Sequence, residues 1–227
     1  SSRRMFTALL LTLLVAGLLS VTVRWKPNLL APVCDSLALA LVLNKLVSLG
    51  HFATHEEEPW HELLPLHLCD WATFTGVIAL VTRRPLAFEL TWFWAMAGTT
   101  QALVTPDLAV RPPELSWYTF YFSHGGVVAA ALLLTWGAGL RTRPWAAFRI
   151  FAWSQIYLAT VLGLNALLDT NYGYLCAKPE NPSLLDHLGP WPWYLLSLEG
   201  LALALFWLLD LPFRLTDRRV SPSPASR

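Results

Sequence analysis

The strongest constraint on the fold of this chain is a series of seven apolar stretches. Each is long enough to cross the hydrocarbon core of a bilayer, which is about 30 Å thick. They lie at residues 5–23, 32–53, 61–82, 86–104, 117–137, 144–168 and 191–210. Backbone amides find no water inside a bilayer, so such segments form helices. The sequence predicts an all-α, polytopic bundle of about seven transmembrane helices in the cell membrane.

The distribution of basic residues predicts the orientation of this bundle. Loops one, three and five and the C-terminal segment carry ten of the sixteen Lys and Arg residues, and the opposite side carries four. Cytoplasmic loops are enriched in Lys and Arg. We therefore expect an outside N-terminus and a cytoplasmic C-terminus. Residues 1–213 are predicted to form one membrane domain, with the first stretch retained as an anchor. Residues 214–227 are predicted to be a polar, disordered cytoplasmic tail.

Composition agrees with a membrane protein and excludes other classes. Hydrophobic residues make up 55% of the chain, and charged residues make up 14%, against about a quarter in soluble domains. Twelve Trp residues suit the membrane interface. A net charge of +1 without a basic patch predicts no nucleic-acid partner. The sequence leaves the oligomeric state open.

Polar residues inside the apolar stretches are unevenly distributed in depth. Such residues are costly in a membrane and usually face the bundle interior or a wet cavity. Counted at about 1.5 Å per residue, most of them fall in the outer half. They are Asn44, Lys45, His67, Cys69, Asp70, Gln101, His124 and Asn165, with Gln155 near the midplane. The inner half looks poor in such groups, so we expect a polar cavity that opens outward. Interhelical hydrogen bonding is the alternative explanation for each Asn or Gln.

The segment from His51 to Trp71 is the richest in chemically active side chains. It contains four of the six His residues together with Cys69, Asp70 and several Glu residues. Imidazole, carboxylate and thiolate all bind zinc, so a metal site is one interpretation. The spacing matches no established zinc pattern, and residues 56–59 read as a solvated acidic loop. We therefore expect no metal and no cofactor.

The second interpretation is nucleophilic catalysis by Cys69 and His124. A thiol is a strong nucleophile when a base removes its proton, and His124 is predicted to lie at the same depth on another helix. His67, Asp70 or Gln155 would position the base or stabilise an oxyanion. Gly125 and Gly126 permit close helix approach next to His124. Packing as a small hydrophobic residue is the alternative for Cys69.

A third candidate region covers residues 165–192, which are rich in Asn, Asp, Tyr and Pro. These residue types favour ordered turns. The region is interpreted as a lid over the outer cavity, as a segment that binds a headgroup through Asn171, Tyr172 and Lys178, or as a plain structured loop. In the last case Trp191 and Trp193 are interface anchors.

Three motifs resemble a known family. LPLHLCDW (64–71), FYFSHGG (120–126) and LDTNYGYLCAKPENPSLLDHLGPWPWYLL (168–196) are similar to the YwaF-type integral membrane proteins of bacteria. That family is related to the transmembrane protein 164 acyltransferases and more distantly to the androgen-induced gene 1 hydrolases. The resemblance implies acyl transfer through a Cys and a His. The His corresponds to His124. The Cys of the family lies between a Pro and a His, where this chain has Leu66, and Cys69 follows three residues later.

The sequence thus predicts a membrane lipid acyltransferase or ester hydrolase. Its predicted catalytic residues are Cys69 and His124. The predicted substrate-binding residues are His67, Asp70, Gln101, Gln155, Asn165, Asn171 and Tyr172. A membrane lipid or acyl-lipid is the expected substrate, reached from the outer leaflet. The alternative is a protein that binds or transports lipids or small molecules through the same cavity without a nucleophile.

Overall fold

The computed structural model describes residues 2–55, 60–108, 110–179 and 181–220, and within them every regular element is helical. Two π-helices, Trp94–Thr99 and Leu133–Gly137, continue α4 and α6. Short 3-10 turns lie in the connections between the longer helices. The eight α-helices are α1 Ser2–Trp25, α2 Leu30–His55, α3 Leu68–Thr82, α4 Pro85–Phe93, α5 Thr100–Val104, α6 Leu115–Leu132, α7 Ala146–Leu168 and α8 Trp193–Val220.

Five helical segments of the described chain are long and apolar enough to cross a membrane. They are Phe6–Trp25, Pro27–Thr54, Leu115–Gly137, Ala146–Leu168 and Trp193–Thr216. The other two predicted spans are shorter or interrupted, because α3 has 15 residues and the segment 85–104 is divided into α4, a π-helix and α5. The described residues therefore form seven helical rods, of which five are long and apolar enough to span a membrane. The seven-span count and the orientation stay predictions.

The third predicted span, 61–82, begins later than expected. Residues 60–67 form a short 3-10 turn and bends, and the α-helix begins at Leu68. Pro65 lacks an amide hydrogen and disfavours helical backbone in the residue before it. His67 is the N-cap of α3, and its backbone N–H donates to Asp70 Oδ2 at 3.2 Å. Cys69 and Asp70 consequently lie in the first turn of a helix.

Helix α6 is the centre of the bundle and packs against α1, α2, α3 and α5. The Gly125–Gly126 pair makes two of these contacts possible. A Cβ atom on Gly125 would lie 2.8 Å from Thr12 Oγ1, and one on Gly126 would lie 2.7 Å from Leu41 Cδ2. Both distances are too short for real side chains. The predicted close approach of helices next to His124 is therefore confirmed.

The end of the bundle opposite to Cys69 is held by buried charges. Glu89 on α4 is fully buried, and it accepts hydrogen bonds from Arg143 N at 2.9 Å, Nε at 3.0 Å and Nη2 at 2.8 Å. Arg149 Nε lies 3.6 Å from the same carboxylate. The hydrogen bond to Glu89 raises the pKa of Arg143. The expectation that this half is poor in polar groups is wrong.

A second carboxylate strengthens the same end. Asp210 accepts from Thr142 Oγ1 at 2.5 Å and pairs with Arg214 Nε at 3.2 Å. Helix α8 continues to Val220, so the predicted disordered tail does not begin at residue 214. Residues 221–227 lie outside the described part of the chain.

Candidate functional site

The centre of the candidate site is an ion pair between two helices. Lys45 Nζ on α2 donates to Asp70 Oδ1 on α3 at 2.5 Å. The neighbouring Asn44 donates to the Thr119 carbonyl of α6 at 3.1 Å. Three helices are thus joined at one level, as the depth count predicted. Lys45 and Asp70 keep 22% and 15% of their side-chain surface exposed, so the pair is not sealed inside the bundle.

The imidazole of His67 lies beside this pair and contacts the loop after α7. Its Nδ1 accepts from the Gly173 N–H at 3.3 Å. Its ring packs against Tyr172 and Tyr174, with ring centroids 5.1 Å and 5.7 Å away. Tyr172 is buried, and its hydroxyl donates to the His61 carbonyl at 2.5 Å. The loop after α7 therefore packs on the turn before α3, a contact that fits both the lid and the structured-loop interpretations.

Cys69 lies in the first turn of α3, half-buried. Helix α3 packs against the π-helix after α4. The Tyr157 hydroxyl of α7 donates to the Leu66 carbonyl at 3.1 Å. Tyr157 is midway along α7, so the turn before α3 reaches deep between the helices. Leu66, at the position where the resembled family has its Cys, packs into the apolar cluster around Tyr157.

His124 on α6 has a defined tautomer. Its Nδ1 lies 2.7 Å from the Phe120 carbonyl, and its ring stacks on Phe120 with the centroids 4.0 Å apart. A carbonyl oxygen only accepts hydrogen bonds, so Nδ1 carries the proton. In the neutral ring Nε2 then carries the lone pair, which is the form a general base requires.

No described contact joins Cys69 to His124. Cys69 precedes Asp70 in the first turn of α3, and Lys45 of α2 holds Asp70. Asn44, next to Lys45, donates to the Thr119 carbonyl of α6, the helix that carries His124. The side chains of Cys69 and His124 are both half-buried. The thiol, the imidazole, the ammonium group and the carboxylate thus belong to three helices that pack on one another, α2, α3 and α6.

Four of the predicted substrate-binding residues lie elsewhere or have other tasks. Asn165 is buried and binds its own loop: Oδ1 accepts from Thr170 Oγ1 at 3.0 Å and from Tyr172 N at 2.8 Å, and Nδ2 donates to Tyr172 O at 2.9 Å. Asn171 likewise binds the backbone of Cys176 and Ala177. Both amides shape the loop.

Gln155 and Gln101 lie away from the polar cluster, which comprises Lys45, His67, Cys69, Asp70 and His124. Gln155 donates to Glu199 of α8. It lies two residues from Tyr157, and two residues on a helix point in nearly opposite directions. Gln155 therefore faces α8 while Tyr157 faces α3. Gln101 lies on α5, which packs on α1 and α6, and no described contact joins its side chain to the cluster.

The loop that covers the site is tied to the α5–α6 connection. Tyr174 donates to Asp107 Oδ2 at 2.9 Å, and Asn181 donates to Oδ1 of the same carboxylate at 2.6 Å. Burial raises the pKa of Tyr174, and the hydrogen bond to Asp107 raises it further. The sequence analysis missed Tyr157 and Tyr174, whose hydroxyl groups bind the turn before α3 and Asp107.

Two other features bear on the predicted chemistry. Among the described residues no three His, Cys, Asp or Glu side chains converge as metal ligands, and Glu56 to Glu58 lie outside those residues. Two shallow apolar grooves, one of about 520 Å³ beside Trp207 and one of about 360 Å³ beside Pro32, are away from the polar cluster. The predicted outward-opening cavity is thus supported only by the partial exposure of the cluster side chains.

The helical fold and the apolar surfaces define an α-helical multi-pass membrane protein.

The chain matches the TMEM164 family over residues 1–210, and it belongs to this family. A protein of Treponema pallidum (strain Nichols), described as an uncharacterized protein, is 30% identical over 159 residues. That match covers 68% of this chain and 64% of the Treponema protein, so the chain spans less than two thirds of its relative. No solved structure matches. The predicted relation to transmembrane protein 164 is confirmed, whereas the YwaF-type and androgen-induced gene 1 links stay predictions.

Proposed function

We propose that this protein transfers or hydrolyses acyl groups of outer-leaflet membrane lipids, with Cys69 as nucleophile and His124 as base. The observation that supports the proposal is that Lys45–Asp70 and Asn44–Thr119 join the three helices that carry these side chains at one level. A thiol in the first helical turn, an imidazole with a lone pair on Nε2 and an ammonium group would then border one site. Membership of a family that the sequence resemblance connects with acyl transfer supports the same reaction.

Burial and the neighbouring Asp70 carboxylate oppose formation of the thiolate, and two features of the site favour it. The N-terminus of a helix carries partial positive charge, which stabilises an anion. Lys45 brings a full positive charge to Asp70, the residue after Cys69. The amides of Leu68 and Cys69 belong to the first turn, where backbone N–H groups have no acceptor within the helix. These amides and the Lys45 ammonium group would stabilise the oxyanion that forms on an attacked ester.

The reaction balances with these groups alone. His124 Nε2 takes the proton of Cys69, and Sγ attacks the ester carbonyl of a lipid. The ester C–O bond breaks, and the leaving oxygen takes the proton back from Nε2. A second lipid hydroxyl, or water, then gives a proton to Nε2 and attacks the thioester. The C–S bond breaks, and the thiolate recovers its proton. A lipid acceptor makes the enzyme a transferase, and water makes it a hydrolase.

The separation of Cys69 from His124 fits a site without substrate. Catalytic hydrogen bonds are often long or absent before the substrate binds. Asp70 is held by Lys45 and by the His67 N–H, so its carboxylate would fix the ammonium group rather than orient His124. Binding or transport without a nucleophile is the second candidate. The sequence argument against transport was the expected lack of polar groups at the opposite end of the bundle, and Glu89 removes it. Glu89 is, however, fully buried and paired with Arg143.

Lipid turnover by the purified protein tests the proposal. The protein is incubated with phospholipids, lysophospholipids and hydroxy-fatty-acid esters, and the products are followed by mass spectrometry. We expect acyl exchange or release that Cys69→Ala and His124→Ala both abolish. Cys176→Ala and Gln155→Ala are matched controls, since one removes an exposed thiol and the other an amide that faces α8. Both controls should retain activity.

Each other outcome changes the interpretation. Activity that survives Cys69→Ala and is lost only with His124→Ala would exclude the thiol and favour an activated water. An absence of turnover with all three lipid classes would refute the proposal for these substrates. Lipid binding that survives both substitutions would then favour the second candidate.

A further inference from the structure

The imidazoles of His67 and His124 carry their protons on different ring nitrogens. Nδ1 of His67 accepts from the Gly173 N–H at 3.3 Å. A backbone amide only donates, so this nitrogen has no proton, and the neutral ring carries its proton on Nε2. Nδ1 of His124 lies 2.7 Å from the Phe120 carbonyl, which only accepts. In its neutral form, His124 therefore has a lone pair at Nε2, whereas His67 has an N–H group there.

His67 lies at the same end of α3 as the candidate nucleophile. It is the N-cap residue, and Cys69 follows two positions later in the first turn. Its backbone N–H donates to Asp70 Oδ2 at 3.2 Å. The rings of Tyr172 and Tyr174 contact its imidazole, with the centroids 5.1 Å and 5.7 Å away. The cap and the two phenol rings thus hold the imidazole beside the first turn of the helix.

The sequence suggested three residues that could stabilise an oxyanion or position the base, and two of them have other partners. Asp70 is a carboxylate that accepts from Lys45, and a carboxylate has no hydrogen to donate. Gln155 donates its amide hydrogen to Glu199 of α8. His67 is the member of this set with an N–H group at the end of α3 that carries the thiol.

We propose that His67 is a catalytic residue whose Nε2–H donates a hydrogen bond to the carbonyl oxygen of the ester that Cys69 attacks. This inference rests on the proposed function, and it adds a side-chain donor to the helix amides and Lys45. As Sγ bonds to the carbonyl carbon, negative charge grows on the oxygen and the hydrogen bond strengthens. Nε2 keeps its proton throughout, as a neutral imidazole that polarises a carbonyl does, because His124 performs the proton transfers. The Gly173 amide excludes the other tautomer, whose lone pair at Nε2 would repel the oxygen.

Nitrogen NMR of the imidazole rings tests the tautomer without any lipid substrate. The full-length protein, labelled with nitrogen-15 histidine, is studied in detergent above about pH 8, where ordinary histidine rings are neutral. The signals are assigned by their loss in His67→Gln and His124→Gln. We expect the proton of His67 on Nε2 and the proton of His124 on Nδ1. A proton on Nδ1 of His67 would overturn the inference.

Two substitutions separate a hydrogen bond to the substrate from the contact with the loop. In His67→Gln the amide nitrogen comes close to the position of Nε2 and donates. In His67→Asn the amide oxygen comes close to the position of Nδ1, so it still accepts from Gly173, but no donor remains at Nε2. His187→Asn is the matched control, since His187 is an exposed histidine in the loop after α7.

We expect His67→Asn to lower the kcat of lipid turnover about 100-fold, the loss typical of one oxyanion donor, with little change in KM or in Tm. His67→Gln should retain most of the wild-type kcat, and His187→Asn should match the wild type. The reverse order, with His67→Asn active and His67→Gln impaired, would show that His67 only holds the loop and would overturn the inference. If His67→Asn does not fold, His67→Met replaces it as the variant without a donor.

The outcome is distinguishable from failure of the proposed function. Turnover that depends on Cys69 and His124 but survives His67→Asn would keep the enzyme and refute the role of His67. An absence of turnover in the wild type would refute the catalytic roles of all three residues, whatever tautomer the NMR spectrum shows.

Discussion

Replacement of Gly173 by Ala tests whether the loop after α7 packs on the candidate site as described. Gly173 has a positive φ of 69°, and its N–H donates to His67. A Cβ atom at this position would lie 2.9 Å from the Tyr157 hydroxyl. Two costs follow, one from the left-handed backbone and one from the contact with Tyr157.

Gly139→Ala separates these two costs. Gly139 has a nearly equal φ of 72°, and a Cβ atom added to it would meet nothing within 4 Å. A left-handed conformation costs a residue with a side chain about 1–2 kcal/mol, and the reduced freedom of the unfolded chain offsets about 0.4–1 kcal/mol of it. We expect Gly139→Ala to cost about 1 kcal/mol. Overpacking adds about 1–3 kcal/mol, so Gly173→Ala should cost about 2–4 kcal/mol.

Thermal unfolding of the purified variants measures the difference. About 2–4 °C per kcal/mol is typical of chains of this size, so Gly173→Ala should lower the Tm clearly more than Gly139→Ala. Tyr157→Phe removes the hydroxyl atom of the contact, and it should cost less when combined with Gly173→Ala than in the wild type. Equal losses in the two glycine variants, or additive effects of Gly173→Ala and Tyr157→Phe, would refute this packing of the loop against α7.

Three further predictions concern the polar contacts. Arg143→Ala should destabilise the protein more than Glu89→Gln in thermal unfolding. Arg143→Ala leaves a fully buried carboxylate with one fewer partner, whereas Glu89→Gln leaves only half-exposed guanidinium groups unpaired. A larger loss of stability in Glu89→Gln would contradict this prediction. The raised pKa of Tyr174 means that the folded protein keeps a proton that the unfolded chain loses above about pH 10. Stability should therefore fall as the pH rises above that value, and Tyr174→Phe should make the fall shallower; identical pH profiles would count against the burial of this phenol. Asn165→Ala should cost about 2–4 kcal/mol of stability, since three hydrogen bonds of a buried amide are lost. Asn181→Ala, at an exposed position, should cost less than about 1 kcal/mol. Equal losses in thermal unfolding would show that Asn165 does not hold the loop.

The sequence predicted the helical rods and the level of the polar cluster because both depend on local patterns. Apolar length determines where helices lie, and counting residues along a helix gives depth. Lys45 and Asp70 were therefore placed at one level before their ion pair was seen. The start of α3 was not predicted, since the apolar run continues through Pro65, and hydropathy does not register the missing amide hydrogen.

Side-chain direction was the part that sequence could not supply. Gln155 and Tyr157 are two residues apart on one helix, and only the packing of α7 against α3 and α8 shows which of them faces the site. Asn165 and Asn171 have the residue type of a ligand-binding group, yet the loop that follows them supplies all their described partners. Glu89 was missed because it lies inside an apolar run. Its partner Arg143 lies in a loop and had been used only to predict the orientation in the membrane.

The Glu89 cluster and the Lys45–Asp70 pair differ in how many of their hydrogen-bonding groups the fold uses. Glu89 is fully buried and surrounded by donors from Arg143 and Arg149, so its hydrogen-bonding capacity is used by the fold. Lys45 uses one of its three ammonium hydrogens in the described contacts and remains partly exposed. An ammonium group that keeps donors free can bind an oxyanion without breaking its own ion pair. This difference favours the Lys45–Asp70 level as the working site and the Glu89 level as the clamp that holds the opposite end of the bundle.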